Sequence, residues 1–254
     1  MHYSNFIALL AAASSAVAAP LAAPEAAAES IQALDKRAPT VAHDSLWPMP
    51  EKVRGGVEGN AIRRYEPFLH IASGCQSYTA VNDKGQVSGG LDNTGSATGG
   101  CRDDRRGQTY ARGAWHNGRY AIMYAWYFPK DQISDGGGNF GHRHDWENVV
   151  IWIDNPANAN PRVFGAAASG HGSYKKTTNP QMRDGNRLQV EYMTNFPTNH
   201  ELQFKTSPGR DFWMVDWSTL PKATTDALNE HKWGKANCPF NKDNFNNNLN
   251  KAWV

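Results

Sequence analysis

The segment Arg119-Tyr-Ala-Ile-Met-Tyr-Ala-Trp-Tyr-Phe128 is apolar at almost every position. A strand apolar on both faces must be covered on both, so it belongs at the centre of a sheet with something packed on each side. Asn117-Gly118 stands immediately before it, and both residues tolerate positive φ, which is a strong hairpin signal. Gln108 to Arg112 is therefore expected to pair with it. Glu147 to Ile153 reads as a second continuous apolar strand. Phe68–Ile71, 162–168, 188–192 and 202–205 read as shorter strands, and Asn82-Asp-Lys-Gly85 as a turn. Gly89 to Gly100 is a long Gly-rich stretch, expected to be a mobile loop. Helices are expected only late. Pro221 suits a helix start, and Asp243 can cap a last helix whose apolar positions Phe245, Leu249, Ala252 and Trp253 recur at helical spacing. Many short strands, Gly-rich turns and few helices predict a mainly β fold, a central β-sandwich with peripheral helices.

The N-terminus has a separate logic. An apolar run from Phe6 to Ala13 ends in the small residues Ala16-Val-Ala-Ala19, which reads as a secretory signal peptide over residues 1–19. An Ala-rich stretch over 20–37 follows and ends in Lys36-Arg37, the pattern of a pro-peptide with a dibasic processing site. The mature domain is then expected over 38–254, as a secreted, extracellular protein. No later segment offers the roughly 18 consecutive apolar residues of a membrane-spanning helix.

With 26 basic and 24 acidic residues, composition offers no argument for nucleic acid as a partner. Nine Trp and nine Tyr serve a core first, but such side chains also suit sugar stacking and membrane interfaces. Three cysteines, Cys75, Cys101 and Cys238, stand in a chain whose secretion permits disulfides. Cys75 and Cys101 bracket the Gly-rich loop, where a bridge would restrict an otherwise loose segment. Spacing does not prove that pairing. No Cys/His pattern suggests zinc.

The chemistry concentrates in one short stretch. Asp131, Asp135, His142, His144, Asp145 and Glu147 lie where one buried strand gives way to a loop containing Gly136-Gly-Gly138 and then to the next buried strand. By the period of two, Asp145 and Glu147 share one face of that strand and His144 and Trp146 the other. His142 sits at the loop end, and Asp131 at the far end of the loop can return to meet them. Converging carboxylates repel one another, and a divalent cation relieves the repulsion. Oxygen-rich donors favour Mg²⁺ or Ca²⁺, and a single imidazole also admits Mn²⁺. The competing reading pairs Asp145 and Glu147 with Arg143 or another base and makes His144 a satisfied core histidine. A third treats Asp145 and Glu147 as the paired acids of a glycosidase. There is no G-x-S-x-G, no HExxH and no P-loop. Ser169-Gly-His-Gly-Ser173 reads as a Gly-rich turn, and Cys101-Arg-Asp-Asp-Arg-Arg106 as a solvated loop.

These residues resemble a known family. Ala121-Ile-Met-Tyr-Ala-Trp-Tyr-Phe-Pro-Lys-Asp131 followed by Gly141-His-Arg-His-Asp-Trp-Glu147 is similar to the signature of the necrosis- and ethylene-inducing peptide 1-like proteins, the NPP1 family. The likeness extends over His43-Asp44, Leu69-His-Ile71, Gly74-Cys75, Ser169 to Tyr174, Thr198-Asn-His200, Trp233-Gly-Lys-Ala236 and Pro239-Phe240. It implies a sandwich like that of the actinoporins, the Cys75–Cys101 disulfide of the type 1 branch, and no enzymatic activity. It implies metal binding by Asp131, His142, Asp145 and Glu147, and a lipid- and sugar-binding rim at Phe196, Asn199 and His200. The implied partners are the glycosylinositol phosphorylceramide head groups of plant sphingolipids in the outer plasma membrane of eudicots, and a plant pattern-recognition receptor for the region Ala121 to Glu147. A monomer is expected.

The sequence also departs from the family. Ser134 to Phe140 lengthens the loop with three glycines, Phe196 stands where a cytolytic member can carry Trp, Asn199 stands where Asp can occur, and Cys238 is at a position usually not cysteine. The leading expectation is a secreted, necrosis-inducing cytolysin and virulence factor. The alternatives are a non-cytolytic member acting as an elicitor of plant immunity or in microbial growth, and a carbohydrate-active enzyme.

Overall fold

A computed structural model of the protein describes residues 38–136 and 141–254. The expected signal peptide and pro-peptide lie outside these residues, as do Gly137 and Gly138. Among the described residues the strands run β1 (Thr40–Val41), β2 (Phe68–Ile71), β3 (Val87–Ser88), β4 (Thr109–His116), β5 (Arg119–Gln132) and β6 (Gly141–Ile153). They continue with β7 (Val163–Gly170), β8 (Ser173–Thr177), β9 (Met182–Arg183), β10 (Arg187–Thr194), β11 (His200–Phe204) and β12 (Met214–Asp216). The helices are α1 (Gly56–Arg64), α2 (Lys222–Glu230) and α3 (Phe245–Lys251).

Six strands form one sheet in the order β12-β4-β5-β6-β7-β8, and β11-β10-β2 form a second. From β4 to β8 the first sheet is an antiparallel meander, and β12 closes its edge in parallel with β4. The Asn117-Gly118 turn holds the first hairpin with φ of 47° and 80°, the positive values its residues predicted. The centre of the meander is β5, buried from Tyr120 to Gln132. Its two faces meet different partners. On one, Phe128 stacks on Tyr192 of the second sheet at 3.8 Å, and the Tyr124 hydroxyl donates to the Ile62 carbonyl of α1 at 2.7 Å. On the other, Tyr127 and Trp146 pack against Trp233 from the C-terminal segment, each with ring centroids 5.4 Å apart. The same segment closes over Trp152, whose indole N–H donates to the Ala252 carbonyl.

The mainly β sandwich is as expected, with differences in its elements. Helix α1 is not foreseen from the sequence, because Gly55, Gly56 and Gly59 argue against a helix. Tertiary contacts hold it. Ile62 is fully buried, and Arg54 just before the helix makes charge-assisted bonds to Asp216. Asp243 does not cap α3. The helix starts after Asn244, and Asn241 Oδ1 accepts from the N–H groups of both Asp243 and Asn244. The stretch from Gly89 to Gly100 is tied down rather than loose. The buried Lys130 ammonium donates to the carbonyls of Thr94 and Ser96, Asp135 accepts from the Ala97 N–H, and a Cys75–Cys101 disulfide closes its base. Cys238 is a buried free thiol, and burial pushes its pKa up to about 12.

Candidate metal and sugar cavity

Both ends of the stretch read as a loop between Asp131 and His142 are strand, because β5 runs on through Gln132 and β6 starts at Gly141. Phe128 pairs with Asp145, Lys130 with Arg143 and Asp131 with His142 in one continuous antiparallel register. Strict alternation would send His142 to the Trp146 face, away from Asp145. It does not, because the alternation breaks at His144, which has φ of +60°. The residue facing His144 in this register is Pro129, which has no N–H for the ladder and gives its carbonyl to Leu91 instead. Past this irregularity Asp131 and His142 come round to the side of Asp145. One ligand atom from each of Asp131, His142 and Asp145 then lies within 4.8 Å of the others.

Each side chain is held. Asp131 Oδ1 accepts from His200 twice, from the ring Nδ1 at 2.6 Å and from the backbone N–H at 3.2 Å. Asp131 Oδ2 is buried and has no hydrogen-bond partner. It lies 3.7 Å from His142 Nε2. His142 Nδ1 is 2.7 Å from the His144 carbonyl, which only accepts, so Nδ1 donates there and Nε2 is the ring atom turned to the group. The Asn199 amide is 3.1 Å from that Nε2. Asp145 accepts from the Trp146 N–H and from the Tyr192 hydroxyl, each at 2.9 Å. Glu147 stands one step further along β6, outside the group of three, and is hydrogen-bonded by the Ser169 hydroxyl.

Burial drives the Asp145 carboxyl well above the ordinary carboxylate range, and the charge of Asp131 pushes the same way. Burial also raises Glu147, reinforced by Asp145. Three buried acids side by side, with one oxygen unpartnered and the His142 imidazole among them, form a donor set rich in oxygen. That set fits a divalent cation with oxygen preference. Arg143 does not pair with these acids, since it pairs with Asp92 and the Gly89 carbonyl. His144 is a satisfied core histidine, bonded to the Tyr127 hydroxyl at 2.6 Å and held neutral by burial, with a pKa lowered to about 4.

The group opens into a cavity of about 440 Å³. Asp131, His142, Asp145, Glu147, Asn199 and His200 all line it. Lys235 and Lys251 line it too, and sequence reasoning did not single them out. Phe196 stands outside this lining, 82% exposed in the turn between β10 and β11. Sequence reasoning also missed Tyr192 and Ser169, which orient Asp145 and Glu147. Tyr192 comes from the other sheet, and nothing in linear spacing points to it.

A sequence profile described as Necrosis inducing protein (NPP1) matches residues 59–252. The chain belongs to the NPP1 family. NLP effector protein 2 of Phytophthora capsici is 41% identical over 217 residues, covering 84% of this chain and 87% of that one. NLP effector protein Pc107869 of the same organism is 42% identical over 215 residues, covering 83% of this chain, which spans 62% of that longer relative. Among solved structures, the toxin fold described as a basis for microbial attack and plant defense superposes with a TM-score of 0.79 at 40% identity, covering 85% of this chain and all of the other. NLPPya in complex with mannosamine gives 0.79 at 39% identity, covering 85% of this chain and 99% of that one. The non-toxic HaNLP3 protein gives 0.78 at 37% identity, covering 83% and 98%. The NPP1 fold thus carries both toxic and non-toxic members, and this chain shares its sandwich. Among the described residues no helix is long and apolar enough to cross a membrane.

Proposed function

We propose that this NPP1 protein is a secreted, necrosis-inducing effector, processed after Lys36-Arg37. In this reading it binds the sugar head groups of plant sphingolipids at a divalent-metal cavity and damages eudicot plasma membranes. The observation that carries the proposal is the convergence of Asp131, His142 and Asp145 with a buried, unpartnered Asp131 oxygen. Asp131, His142, Asp145 and Glu147 would hold the cation, Mg²⁺ or Ca²⁺. A bound cation supplies positive charge that offsets the buried acids and attracts sugar hydroxyls. The chain's own residues do the rest. Tyr192 and His200 of the second sheet hold the carboxylates of the first in place. Asn199 offers its amide beside His142, where a saccharide hydroxyl can compete for it. Phe196, exposed three residues before Asn199, would enter the bilayer once the head group is held. The complexes of NLPPya with mannosamine and with glucosamine support sugar recognition by this fold.

The test is dye release from vesicles that contain glycosylinositol phosphorylceramide. Release is expected with Mg²⁺ or Ca²⁺, lost on chelation, and lost in Asp145→Ala. Equal release from the wild type and Asp145→Ala would sink the metal mechanism.

A second reading rests on Phe196 and on the likeness to non-toxic HaNLP3. Here the protein does not lyse cells and acts as an elicitor through the region Ala121 to Glu147. That region is the central hairpin of the six-stranded sheet and is largely buried. A receptor can read it only after the fold is opened. A synthetic 121–147 peptide should then trigger an immune response in leaves, while the folded chain should do so only after proteolysis. Lysis of sphingolipid vesicles by the intact chain would overturn this second reading.

A further inference from the structure

A second cleft, of about 570 Å³, lies between the segment at Trp47-Pro48 and the segment from Arg210 to Trp213. Its volume is within the range of about 300–1,000 Å³ usual for small-ligand sites. It shares no lining residue with the metal cavity. Two tryptophans face it, Trp47 and Trp213, 53% and 56% exposed.

Neither wall is loose. The Arg106 guanidinium lies 3.8 Å from the centroid of the Trp47 ring and also donates to the Leu46 carbonyl and to Asp103. Trp47 is thus backed on one side by a fixed cation. The buried Gln108 side chain ties the walls together. Its Oε1 accepts from the Met49 N–H at 2.6 Å, and its amide donates to the Trp213 carbonyl. The Trp213 carbonyl also accepts from the Thr109 N–H of β4. Glu66 lines the cleft, and its Oε1 is buried with no hydrogen-bond partner.

The lining narrows the ligand class. Asp104 and Arg210 of the lining pair with each other at 2.7 Å, and Asp211 pairs at 2.8 Å with Arg187 just outside it. Such pairs do not call for an ion, yet they offer carboxylate acceptors and guanidinium donors at the cleft wall. Hydroxyl groups satisfy both kinds, because each donates and accepts. Glu51, Asp104 and Asp211 offset Arg105 and Arg210 in the lining, which leaves no excess of positive charge to draw an anionic lipid surface. Exposed indole faces accept the apolar C–H face of a pyranose whose hydroxyls are equatorial.

We propose that this cleft is a second, metal-independent binding site for a neutral oligosaccharide of β-1,4-glucan type. It would hold the protein on plant polysaccharide, separately from whatever the metal cavity binds. The probe is cellohexaose, titrated into the folded chain while the indole N–H resonances are followed, once with excess Mg²⁺ and once with chelator. Saturable changes are expected at Trp47 and Trp213 under both conditions, with the same affinity. Trp47→Ala and Trp213→Ala should each bind about tenfold more weakly or worse, equivalent to ~1.4 kcal/mol. Trp115→Ala, at an equally exposed tryptophan outside the cleft, should bind as the wild type does. Trp47→Phe keeps an aromatic face and should retain most binding, which separates loss of stacking from loss of fold. Absence of a saturable change overturns the proposal. So does binding that disappears with chelator or in Asp131→Asn, which would place the sugar in the metal cavity. Tryptophan variants that lose vesicle binding but keep cellohexaose binding would make this face a lipid contact instead.

Discussion

Gly141 shows how one residue can set a site. Its φ is +119°, and a Cβ built on it would meet the Asp131 carbonyl oxygen at 2.1 Å. Asp131 and His142 face each other only because this position has no side chain. Gly141→Ala is expected to weaken cation binding by about 10–100-fold, the usual cost of disturbing groups that orient metal ligands. Calorimetric titration with Mg²⁺ or Ca²⁺ checks it, and unchanged affinity would refute this account. Gly74, in the bend after β2, is similar, since a Cβ there would meet His200 Nε2 at 2.5 Å. Glu66 makes a prediction about pH. Burial raises its carboxyl from 4.5 to about 8. The folded chain therefore keeps a proton that the unfolded chain releases between those values. Stability from this group falls as pH rises through that window, and the cost is complete above it. Glu66→Gln should match the wild type near pH 4.5 and be more stable at pH 8. The gain should be about 1–3 kcal/mol, because a tenfold difference in proton affinity between the two states is worth about 1.4 kcal/mol. Thermal unfolding of both proteins across this range tests the sign.

The central elements β5 and β6 carry most of what matters. Each is buried over most of its length, so their pairing is specified by packing on two faces at once. Their apolar halves are legible in the sequence. Their polar ends are not, because Asp131, Gln132, Gly141 and His142 carry no apolar alternation and read as loop. The disulfide acts at this scale as well. It links Cys75 and Cys101, 26 residues apart, and bounds the stretch that Lys130 anchors against β5. Replacing both cysteines by serine is expected to cost about 2–4 kcal/mol, the loop-closure effect for a loop of this size. Guanidinium unfolding with and without the substitution measures it. Helix α1 marks the opposite case, in which burial of Ile62 and the Arg54–Asp216 pair outweigh a poor local propensity.

At the scale of the whole molecule, polar bonds join the two sheets at the cavity. Asp131 and Asp145 belong to the six-stranded sheet, and His200 and Tyr192, which bond them, belong to the other. Ligation of the acids should therefore stabilise the sandwich as a unit. Cation at about 100 times its Kd is expected to add about 2.7 kcal/mol, seen as a rise in Tm that chelator abolishes. Asp131→Asn should show no such rise. A Tm indifferent to cation in the wild type would argue against a bound ion at this site.

Local chemistry by itself determined the buried β centre, the Asn117-Gly118 hairpin, the concentration of acids and imidazoles after Phe128, and the likeness to the NPP1 family. Those are properties of neighbours along the chain, where side-chain period and turn chemistry act directly. Only the tertiary structure decided that His142 turns to the side of Asp145 and that Tyr192 and His200 hold the acids from across the sandwich. It alone brought Trp47 and Trp213 together as walls of one cleft. Each of these depends on contacts between residues far apart in sequence or on a backbone irregularity at His144 that strand periodicity cannot express.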